Sequence, residues 1–78
     1  MHVYLQWPGG QPPVQKANQW DAEAEIRVKY PSAHFTQRRR IQGGMVPGFG
    51  GTSLEEGIIV FPDTTSKDSI AVIWFPVP

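Results

Sequence analysis

The residues able to do chemistry are few: two histidines, seven Asp or Glu, seven Lys or Arg, and no cysteine. No thiol nucleophile exists, and no serine lies in a G-x-S-x-G elbow. The run from Gly48 through Ser53 lacks the third glycine of a dinucleotide loop and the Gly-Lys-Ser/Thr end of a phosphate loop. His2 and His34 lie far apart, with no carboxylates at a diagnostic metal-ligand spacing. Glu23 and Glu25 could form an acid–base pair on one face of a strand, but the nearby arginines offer them charge partners. These residues read as a non-enzyme with no metal and no cofactor.

The basic residues carry more pattern. Net formal charge is zero, which argues against a generic binder of polyanions. Yet residues 1–41 hold six Lys or Arg against three Asp or Glu, and residues 42–78 hold one against four. Arg38-Arg39-Arg40, with Arg27, Lys29 and His34, could form a basic strip beside aromatic rings, the combination that binds phosphates and stacks bases. Three consecutive residues of a strand cannot all face one groove, so nucleic acid is the second choice.

A different kind of surface is offered by Gly43 through Gly51, where glycine is interleaved with Met45, Val46, Pro47 and Phe49 rather than with polar residues. Such a loop either closes one end of the core or acts as an adaptable apolar finger. Arg39, lacking an evident partner, and Trp74 with Phe75 near the C-terminal end complete the candidate protein-contact set. Trp7 and Trp20 are assigned to the core.

These residues must be positioned by elements read from period and punctuation. Residues 1–7 alternate as a strand, and the Pro and Gly of 8–13 break the ladder, leaving 8–19 as an extended connection. From Ala22 to Tyr30, Ala22, Ala24, Ile26, Val28 and Tyr30 share one parity and the charges take the other. The segment is therefore read as a strand, joined by a turn at Tyr30-Pro31-Ser32-Ala33 to a second strand over Ala33–Ile41. That register sets Glu25 opposite Arg38 and Glu23 opposite Arg40. Ser53 with Glu56 and Gly57 resembles a capping signature, so one helical turn is allowed near 53–57. Ile58–Phe61 and Ile70–Phe75 read as a hairpin with a solvated tip. The second of these runs is apolar on both parities, as in a strand central to a sandwich or barrel or covered by a second subunit.

The expectation is one all-β domain spanning 1–78: a small five-stranded antiparallel sandwich or partly open barrel. No apolar run is long enough for a membrane span, and no secretory leader is expected from Met1-His2-Val3-Tyr4. Cytoplasmic localisation is the default. The expected function is a small protein-binding module (inhibitor, adaptor or assembly subunit) that occludes a partner through the apolar loop and a sheet edge. In size and composition it resembles small inhibitors carried by phages or mobile elements. A nucleic-acid-binding barrel is the alternative, and a homo-oligomeric subunit joined through 70–75 the third reading.

Overall fold

The computed structural model describes residues 2–41, 43 and 53–77. In chain order its elements are β1 (Val3–Gln6), β2 (Val14–Lys16), α1 (Gln19–Lys29), β3 (His34–Phe35), β4 (Arg39–Arg40), β5 (Ser53–Phe61) and β6 (Ala71–Val77). The strands form one antiparallel sheet in the order β2-β1-β6-β5-β3, and β4 also pairs with β5. The doubly apolar C-terminal run is accordingly the centre of the sheet, with β1 on one edge and β5 on the other. The expected predominance of β structure holds. In place of a five-stranded sandwich or barrel, however, there is one open sheet of six strands with a helix on one face.

The largest correction falls on residues 22–30, which are helical as far as Lys29. Ala, Glu, Arg and Lys are strong helix formers, whereas Ala, Glu and Lys are depleted in strands. Asn18 caps the first turn, its side chain accepting a bond from the Asp21 backbone N–H at 2.9 Å. Asp21 near the start and Arg27 and Lys29 at the end suit the helix dipole. The expected turn at 30–33 is present, with the Ala33 N–H donating to the Tyr30 carbonyl at 3.0 Å. It connects helix to strand rather than strand to strand.

Residues 34–40 therefore pair with β5 instead of with 22–30. His34 lies opposite Phe61, Phe35 opposite Val60 and Arg39 opposite Gly57. Between β3 and β4 the Thr36 hydroxyl donates to the Ile59 carbonyl at 2.9 Å and accepts the Ile59 N–H at 3.0 Å. The helical turn allowed near 53–57 is instead the start of β5, with a bulge between Leu54 and Glu56. Gly57 is needed for space rather than as a stop. A Cβ there would meet the Ile73 carbonyl at 2.9 Å and the Ile41 side chain at 3.0 Å.

Cross-strand partners share a face, so the register divides the core in two. Under α1 lie Val3, Leu5, Ile58, Val60, Ala71, Ile73 and Phe75, joined by Ala22 and Ile26 from the helix. On the opposite face Tyr4, Leu54 and Trp74 form a second cluster, with Ile41 and Val72 against it. The Trp74 indole N–H donates to the Gln6 side-chain carbonyl at 2.7 Å. Gly43 lies against this ring, and a Cβ there would run into the Leu54 carbonyl and the indole.

The solvated hairpin tip is as expected. Asp63 accepts bonds from the backbone N–H and hydroxyl of both Thr65 and Ser66, all at 2.8–2.9 Å.

Candidate functional site

The six residues of the expected basic strip are split between the two faces of the sheet. Arg40 pairs in register with Glu56, and Arg38 stacks on Phe75 with its guanidinium carbon 4.0 Å from the ring centroid, both on the helix side. Arg27 stacks on Phe35 at 4.5 Å and the Lys29 ammonium lies 4.8 Å over Trp7, also on that side. His34 and Arg39, opposite Phe61 and Gly57, belong to the other face.

Carboxylates also neutralise much of the strip. Arg38 meets Glu56 at 2.9 Å, Arg40 meets Glu55 at 3.7 Å and Arg27 meets Glu23 at 3.4 Å. The expected pairs Glu25–Arg38 and Glu23–Arg40 do not form, because α1 carries the two glutamates away from β4; Lys16 takes Glu25 at 2.9 Å instead. Arg39 is exposed and has no partner among the described residues.

Of the expected protein-contact set, Met45, Val46 and Phe49 lie outside the described residues. Trp74 and Phe75 are core residues, 7% and 4% exposed. Their strand also has no free edge for a second copy, since β1 and β5 occupy both sides of β6.

Among the described residues, the large apolar side chains left exposed are Val14 on β2 and Trp20 and Val28 on α1. A helix at 100° per residue places Ala22 and Ile26 on the sheet, where both are fully buried. Trp20, Ala24 and Val28, also spaced by four, line the opposite side. Trp20 is 75% exposed and Val28 82%, so Trp20 corrects its assignment to the core. Scattered exposed apolar residues are ordinary; these three are aligned on one side of the helix. Valine at an exposed helix position lowers helix stability by about 0.5 kcal/mol relative to alanine. Val28 therefore adds nothing to the fold of the isolated chain.

Beside Trp20 a cleft of about 220 Å³ opens between the helix start and the sheet, with Val3 and Phe75 at its base and Arg38 on its wall. A second cleft of about 220 Å³ lies near Trp7 and Ile70, where the β1–β2 turn meets the start of β6. Its Gln6 side chain already accepts the Trp74 indole. Among the described residues no group of three or more His, Asp or Glu is placed to hold a metal ion. None of their helices is long and apolar enough to cross a membrane. Sequence reasoning passed over the α1 row because it demanded that all apolar residues of 22–30 share one side. The usable signal was the second spacing of four: Trp20, Ala24, Val28.

Compared with protein-family models, curated proteins and solved structures, the chain matches none.

Proposed function

We propose that this protein is a non-enzymatic protein-binding module, serving as an inhibitor, adaptor or assembly subunit, and that it docks through the outer face of α1. One observation carries the reading: Trp20 and Val28 stand in a single row with Ala24, 75% and 82% exposed, on a helix already anchored by Ala22 and Ile26. Tryptophan is the residue most enriched among binding hot spots, and the cleft beside it offers room for an incoming apolar side chain. Occlusion remains the mode of action, with the apolar loop around Phe49 as a second contact. Cysteine-free composition suits a reducing interior, and a cytoplasmic site of action belongs to the same proposal.

Comparing the chain with its Trp20→Ala and Val28→Asp variants on an affinity matrix tests this. Both residues are mostly in solvent, so the variants are expected to melt like the parent while losing the retained protein. Equal retention by all three would reject the α1 face. The bridged and divided arginines favour the basic-strip reading less. Oligonucleotide binding at low salt that disappears in Arg38→Ala/Arg39→Ala/Arg40→Ala would nonetheless install it in place of protein binding.

A further inference from the structure

We draw no further inference here: the strongest candidate, the cleft between the start of α1 and the sheet lined by Val3, Trp20, Arg38 and Phe75, carries nothing, because Arg38 is already held by Glu56 at 2.9 Å and stacked on Phe75, and nothing in the structure shows what would occupy the space.

Discussion

The β5–β6 hairpin and helix α1 spend their apolar residues differently. In the hairpin both faces are used: Ile58, Val60, Ile73 and Phe75 go under the helix, and Leu54 and Trp74 form the cluster on the far side. In α1 only one of two apolar lines is used. Ile26 is fully buried, while Val28, two residues later, is 82% exposed. The hairpin's composition is explained by folding alone. The helix carries an apolar surplus that the other described residues leave exposed.

Substitution at matched positions can break that contrast. Ile73→Ala, at the fully buried centre of β6, is expected to cost about 2–5 kcal/mol in denaturant unfolding. A loss below about 1 kcal/mol would mean that the hairpin does not hold the fold. Asn18→Ala removes the cap on the Asp21 N–H and is expected to cost about 1 kcal/mol, with reduced helical ellipticity. Val28→Ala should leave stability unchanged or raise it by about 0.5 kcal/mol, measured at low protein concentration. A clear loss would place Val28 in the core and close the gap between the two regions.

The hairpin tip gives the mildest test, through acid. Bonds from the Thr65 hydroxyl and backbone N–H, then from Ser66, lower the Asp63 pKa from 3.8 to about 2. Because the folded value is depressed, the stabilisation is fully present above about pH 4 and is lost as pH falls through about 2. Carboxyl-carbon NMR should show Asp63 titrating near 2 in place of its ordinary 3.8, and Asp63→Asn should flatten this part of the acid melting profile. Titration at an ordinary value would show the tip to be unstructured.

The sequence made the hairpin legible because an apolar run on both parities, bounded by turn residues, has few solutions other than a central strand. Its reading of 22–30 failed because Ala and Glu alternating over a few residues satisfy period two by accident, while their helix propensity and the Asn18 cap favour the other state. The error propagated: with 22–30 removed from the sheet, residues 34–40 had to find β5, and the arginines took Glu55 and Glu56. The α1 row was hidden by the same assumption, since Ala24 and Val28 were placed on one strand face with Ala22 and Ile26, whereas the helix sends them to the opposite side. Gly57 read as a stop because one chain cannot reveal that Ile73 and Ile41 crowd it from across the ladder.

The three indoles sit at three depths: Trp74 beneath the Gln6 bond, Trp7 under an ammonium group, and Trp20 in water. The protein thus carries its own optical gauge. Emission from Trp74 reports loss of the sheet, while iodide quenching falls mainly on Trp20. Occupancy of the helix and melting of the core can therefore be followed as separate signals in unlabelled material.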